Sequence, residues 1–204
     1  MIKEPLFTAD NKRIVRCAGM DLGMVRDRTA LSIVEHDFYF GTTTLIEDRQ
    51  WAPGKDPLRP TETIREMFEI AINHDCISAC ADVHYFALIQ ELIPKGIQII
   101  KFPSNPERIA KAYQDLKYAL ARGTIDLSRA SDVLIKQLAN TSATPTAGGG
   151  MSITHARRAG EHGDSASAFI AGVYGVRRSD PERRGATVEG PRRFDSTGRG
   201  GIVR

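Results

Sequence analysis

A change of hydrophobic period near residue 60 divides this chain and narrows the folds open to it. Before it, three runs rich in β-branched, aromatic or small residues (14–20, 29–34 and 38–46) follow one another with short connections, as in an antiparallel meander. After it, helical and strand periods alternate. Thr63-Ile64-Arg65-Glu66 has the spacing of a capping box, and Ile64, Met67, Phe68, Ala71 and Ile72 continue it as an amphipathic helix. A short apolar run over 76–82 ends in a carboxylate. Phe86, Leu88, Ile89 and Leu92 predict a helix stopped by Pro94, and 97–102 reads as another buried strand. Asn105-Pro106 pairs a cap with a first-turn proline, ahead of a helix face of Ile109, Ala112, Tyr113, Leu116 and Leu120 that ends at Gly123. Further helices are expected near 130–138 and 162–174, separated by a glycine-rich loop (144–150) and a short strand (151–154). Three antiparallel strands followed by alternating units predict an α/β fold: one mixed sheet, antiparallel strands then parallel ones, flanked by helices on both faces.

The 204 residues are room for one domain with a tail. With 41% hydrophobic and 26% charged residues the composition is that of a water-soluble globular protein, and no run of about 18 apolar residues is present to span a bilayer. Lys3, Glu4, Asp10 and Lys12 interrupt the first residues, which carry no apolar signal core, so the expected compartment is the cytoplasm. Cys17, Cys76 and Cys80 each sit in an apolar stretch and read as small buried hydrophobes rather than disulfide or zinc partners. The net charge of +3 is unevenly spread. Residues 177–204 hold eight arginines and four acids, which leaves 20 basic and 21 acidic residues in 1–176. Five glycines and few large hydrophobes in that last stretch predict a folded domain over 1–176 and a flexible arginine-rich tail over 177–204.

Three aspartates stand where chemistry is plausible on physical grounds. Asp21 ends the first strand in Gly19-Met20-Asp21-Leu22-Gly23, Asp82 closes the fourth, and Asp164 opens the last helix. A carboxylate at the end of an apolar strand is costly unless it meets solvent, a cation or a metal. If the first and fourth strands are neighbours, Asp21 and Asp82 lie side by side. The last helix is able to bring Asp164 to the same point, because eight of the fourteen residues over 162–175 are Gly, Ala or Ser and permit close packing on a sheet. Convergent carboxylates repel one another and need hard divalent cations, Mg²⁺ or Mn²⁺, between them. Two such ions roughly 3.5–4 Å apart suit phosphodiester displacement.

The ordered set of these motifs resembles the ribonuclease H-like nuclease domain of the large terminase subunit of tailed bacteriophages. The resemblance rests on Asp21-Leu22-Gly23 with Asp27-x-Thr29 opening the next strand, the strand ending at Asp82, the 138–153 region, and His162-x-Asp164-x-x-x-Ala168. It covers roughly residues 14–176. It implies a metal-dependent DNA endonuclease that cleaves concatemeric viral DNA during genome packaging, with Asp21, Asp82 and Asp164 as catalytic metal ligands. It also implies double-stranded DNA as substrate and a packaging ATPase motor, a small terminase subunit and a portal as partners, in the cytoplasm of a host cell. Nothing here matches Gly-x-x-x-x-Gly-Lys-[Ser/Thr], since Gly148-Gly149-Gly150 is followed by Met151-Ser152. The expectation is therefore an isolated nuclease domain, or a product whose motor lies on another chain.

Other readings stay open beside this one. A strand-end turn accounts for Asp21 singly, a solvated strand end for Asp82, and a first-turn acid complementing the helix dipole for Asp164. The same carboxylates serve a Holliday-junction resolvase or another ribonuclease H-like nuclease. A sugar-kinase or actin-like nucleotide-binding half also begins with Asp-x-Gly and a following Thr. A non-catalytic DNA-binding or assembly module leaves all three acids solvated. His162 and Asp27 are candidate assisting groups, with capping and turn roles as alternatives. Arg157, Arg158, Arg177 and Arg178 are candidate phosphate contacts, and a solvated surface accounts for them equally. His36, His74, His84 and His155 lack ligand-type spacing and read as surface or core residues.

Overall fold

The computed structural model describes residues 6–7, 13–24, 28–82, 84–145, 151–155 and 163–179. A two-residue β1 (Leu6–Phe7) pairs with the start of β2 (Arg13–Asp21), and β2, β3 (Thr29–Asp37) and β4 (Thr42–Trp51) form the antiparallel meander. Helix α1 (Pro60–Asn73) leads to β5 (Ser78–Ala81), and α2 (Phe86–Leu92) to β6 (Gln98–Lys101). Both strands lie parallel on the far side of β2. Helix α3 (Pro106–Ala121) is followed by β7 (Ile125–Asp126), which pairs in parallel with β4. The strand order is β6-β5-β2-β3-β4-β7, with β1 added beside β2. Helix α4 (Asp132–Ala139), a separate hairpin of β8 (Thr141–Pro145) and β9 (Met151–His155), and α5 (Asp164–Arg178) complete the described chain.

Alternation along the strands sends one set of side chains to each face. On β3, Leu31 and Ile33 join Met67 and Phe68 of α1 in one core, whereas Val34 joins Phe169, Ile170 and Val173 of α5 in the other. Cys17, Cys76 and Cys80 are all buried, as expected. Helices thus cover both faces, and the mixed sheet expected from the pattern is present.

Several boundaries differ from the sequence reading, each for a local reason. Residues 38–41 form a turn instead of opening the third strand, because Asp37 Oδ1 accepts the Tyr39 and Phe40 amides at 2.8 and 3.1 Å and Gly41 takes φ +66°. Helix α1 starts at Pro60, not at a Thr63 capping box. Proline at the first helical position has a preset φ and no amide to satisfy, so it starts the helix a turn earlier and leaves Thr63 buried inside. Helix α4 starts after Ser131, whose hydroxyl accepts the Leu134 amide. Strands β1, β7 and β8 carry too little apolar alternation to be read in advance. Helix α5 extends to Arg178, so Arg177 and Arg178 belong to its last turn and not to the tail; residues 180–204 lie outside the described residues.

The seat of α5 is set by glycine. A Cβ on Gly19 would lie 2.0 Å from the Ala168 carbonyl oxygen and 2.3 Å from the Gly172 amide nitrogen. A Cβ on Gly175 would lie 2.3 Å from Cys17 Sγ. Because Gly172 meets Gly19 while Gly175 meets Cys17, α5 runs against β2. Its N-terminus, with Asp164, therefore lies toward the strand end that carries Asp21.

Candidate active site

Parallel pairing in register places Gly19 beside Cys80 and Met20 beside Ala81, so Asp21 and Asp82 are the next residues at the ends of adjacent strands. The two carboxylates line one cavity of about 320 Å³. The turn after Asp21 is held by buried Thr29, whose hydroxyl bonds both the amide and the carbonyl of Gly23 at 3.2 Å. Asp82 Oδ1 accepts the His84 amide at 3.0 Å, which orients the carboxylate by its own backbone.

Further side chains of the cavity were not singled out by sequence. His84, Tyr113 of α3 and Ser167 of α5 all line it. Burial pushes the Tyr113 phenol up to about 12; its hydrogen bond with Ser167 opposes that shift and the charge of Asp21 adds to it. The aromatic ring on an apolar helix face reads as core in one dimension, and His84 was read as a surface or core residue. The only available clue to His84 was its place two residues after Asp82.

Asp164 is the first residue of α5 and is buried, with 7% of its surface exposed; it is not part of the cavity lining. Among the described residues, no group of three or more His, Cys, Asp or Glu side chains stands ready to hold a metal ion. The donor set nevertheless suits a hard cation in kind, because two carboxylates share the cavity. Asp27, Arg157, Arg158 and His162 lie outside the described residues. Arg178 stacks over the Tyr174 ring at 4.4 Å. At the opposite end of α5, Arg177 and Arg178 lie roughly 20 Å along the helix from Asp164 and so take no part in the cavity. Among the described residues no helix is long and apolar enough to cross a membrane.

Sheet order and covering helices together define an α/β fold with a mixed sheet of the ribonuclease H-like type. No family model matches the sequence, and no curated protein matches it. Solved structures narrow the fold further, to that of large terminase nucleases from several phages. The large terminase nuclease from thermophilic phage G20c superposes with TM-score 0.61 at 16% identity, over 79% of this chain and 82% of that one. The nuclease domain of the Thermus phage P74-26 large terminase gives 0.57 at 13% identity, over 84% and 83%. The HK97 bacteriophage large terminase gives 0.63 at 16% identity over 84% of this chain, which spans only 40% of that longer protein. The G20c nuclease has been solved with bound magnesium and with bound cobalt.

Proposed function

We propose that this chain is the nuclease portion of a phage packaging terminase, a divalent-metal-dependent DNA endonuclease of low sequence specificity. The observation that carries the reading is the side-by-side placement of Asp21 and Asp82 on one cavity in this fold. Asp21 and Asp82 would hold Mg²⁺ or Mn²⁺ with their carboxylate oxygens, and Asp164 would complete the set from α5. When bound, a pair of such ions supplies charge stabilisation to both the entering and the departing oxygen of a phosphodiester displacement. The chain's own share is geometric. Thr29 fixes the turn behind Asp21, the His84 amide fixes Asp82, and the Tyr113–Ser167 pair walls the cavity between α3 and α5. In this reading water is the attacking nucleophile and no covalent enzyme intermediate forms. In this reading the substrate is concatemeric double-stranded DNA, and the ATPase motor, small subunit and portal are partners in trans or in a longer chain.

Supercoiled plasmid incubated with the protein and Mn²⁺ is expected to be nicked and then linearised. Asp21→Asn and Asp82→Asn are each expected to slow nicking by about 100-fold or more, the scale on which loss of charge stabilisation at a reacting oxygen is felt. Parent-like nicking by either variant overturns the site. Faster cleavage of a four-way junction or an RNA–DNA hybrid than of linear duplex overturns the packaging assignment and leaves the nuclease.

A further inference from the structure

The start of α5 is built in an unusual way. Its N-cap is Gly163, which has no side chain to cap the helix, yet the segment is buried. The first intrahelical bond runs from the Ser167 amide to the Gly163 carbonyl at 2.8 Å, so the amides of the first three helical residues need acceptors from elsewhere. One acceptor comes from another helix. Gln137 of α4, itself only 8% exposed, accepts the Ala166 amide with Oε1 at 3.1 Å. The neighbouring residue is gripped from the sheet: Gln50 of β4 donates Nε2 to Ser165 Oγ, and Arg28 donates to Gln50 Oε1 at 2.9 Å. Ser167 is held by Tyr113 of α3. The three residues that follow Asp164 are therefore each tied to a different element.

We infer that Gln137, assisted by Gln50, is a positioning residue for the Asp164 carboxylate: it caps α5 in trans and sets where that carboxylate stands relative to Asp21 and Asp82. The inference rests on the reading of these three aspartates as metal ligands. A glycine N-cap lets the chain enter α5 with little bulk and offers the first turn no side-chain cap. Gln137 supplies an anchor from α4 and so fixes the backbone turn that carries Asp164. Groups that hydrogen-bond a metal ligand directly contribute about 10–100-fold in metal affinity; Gln137 acts through the Ala166 amide, so the lower end of that range is expected.

Titration calorimetry with Mn²⁺ on the full chain tests it. Gln137→Met keeps the length of the side chain and removes the acceptor; its dissociation constant for Mn²⁺ is expected to rise about 10-fold with an unchanged circular dichroism spectrum. Gln137→Glu retains an acceptor oxygen and is expected to bind Mn²⁺ more tightly than Gln137→Met; an equal loss in both overturns the inference. A Gln137→Met protein that melts earlier but binds Mn²⁺ like the parent shows a structural role only and overturns the inference. Should that variant not fold, Gln50→Met, at a half-buried position, reads out the same turn through Ser165, and parent-like affinity there overturns the inference too. If the parent itself binds no Mn²⁺, the metal reading fails first and takes the inference with it, an outcome distinct from parent binding that the variants leave unchanged.

Discussion

At the scale of single residues, burial of ionisable groups around α5 predicts that the fold loses stability in alkali. Burial pushes the Cys17 thiol up to about 12, against a partly offsetting hydrogen bond with Ser78, and Tyr113 reaches about 12 for the reasons given above. Cys80 beside Cys17 is raised as well, by burial first. A folded-state value above the unfolded one means that the folded protein keeps a proton the unfolded chain gives up. Stability is then fully present below pH 9 and is lost as pH rises from 9 toward 12, with the Tyr113 share lost only above 10. The share that can be lost is on the order of 4 kcal/mol for Cys17 and about 3 kcal/mol for Tyr113. Urea unfolding at pH 8, 9.5 and 11 is expected to show the decline; Cys17→Ala should flatten it from about pH 9 and Tyr113→Phe only from about pH 10, by removing the titrating groups. Equal slopes in parent and both variants would place the alkaline sensitivity elsewhere. Asp21 and Asp82 were legible as candidates because a charged residue ending an apolar strand stands out in one dimension. Tyr113 and Ser167 were not, since a ring or a hydroxyl on a helix face carries no mark of what lies opposite.

At the scale of elements, the contact between α5 and β2 is the most demanding. A methyl group at Gly19 would strike backbone atoms of Ala168 and Gly172, which cannot turn away as a side chain tip does. Gly19→Ala is therefore expected to cost more than the ~1–3 kcal/mol of ordinary overpacking and to displace α5. Gly54→Ala, where an added methyl meets nothing within 4 Å, serves as the control and is expected to stay within about 0.5 kcal/mol of the parent. Thermal melts of both proteins decide the point, and a Gly19→Ala melt like the control's would mean that α5 sits less tightly than its geometry states. Caps are a gentler lever. Asn105 Oδ1 accepts the Glu107 amide at 2.9 Å at the start of α3, so Asn105→Ala is expected to lose about 1 kcal/mol in denaturant unfolding. The Asn105-Pro106 start of α3 was legible from sequence because both signals are local. The Pro60 start of α1 was overridden by a spacing match at Thr63, a reminder that a four-residue motif is weaker than a proline's fixed backbone.

At the scale of the whole molecule, charge separates the two ends of the chain. The body over 1–176 is close to neutral and gathers acids at its cavity, an arrangement that attracts DNA poorly without bound cations. Six arginines lie beyond Ser179, and Ser179 itself is buried and bonds Ser78 Oγ at 2.6 Å. Truncation after Ser179 thus spares the last packed contact of α5. The 1–179 protein is expected to fold and to bind Mn²⁺ as the parent does, but to bind duplex DNA more weakly. If about four of those arginines engage phosphates, the log–log salt slope falls by roughly 3–4 on their removal. Fluorescence anisotropy across a salt series measures this, and equal slopes would reduce the segment to a solvated end.

The sequence by itself determined the order of most elements, the switch from meander to alternating α/β units, and the two aspartates, one ending β2 and one just after β5. These follow from local backbone preference and from hydrophobic period, both of which act over a few neighbouring residues. Only the tertiary structure decided that β5 adds beside β2 in register, that β7 closes the far edge, and that Asp164 starts a helix anchored by Gln137 and Gln50. Such pairings join residues 29 to 115 positions apart in the chain. Their energy depends on close packing and on satisfying buried amides, quantities that exist only once the sheet and its helices have met.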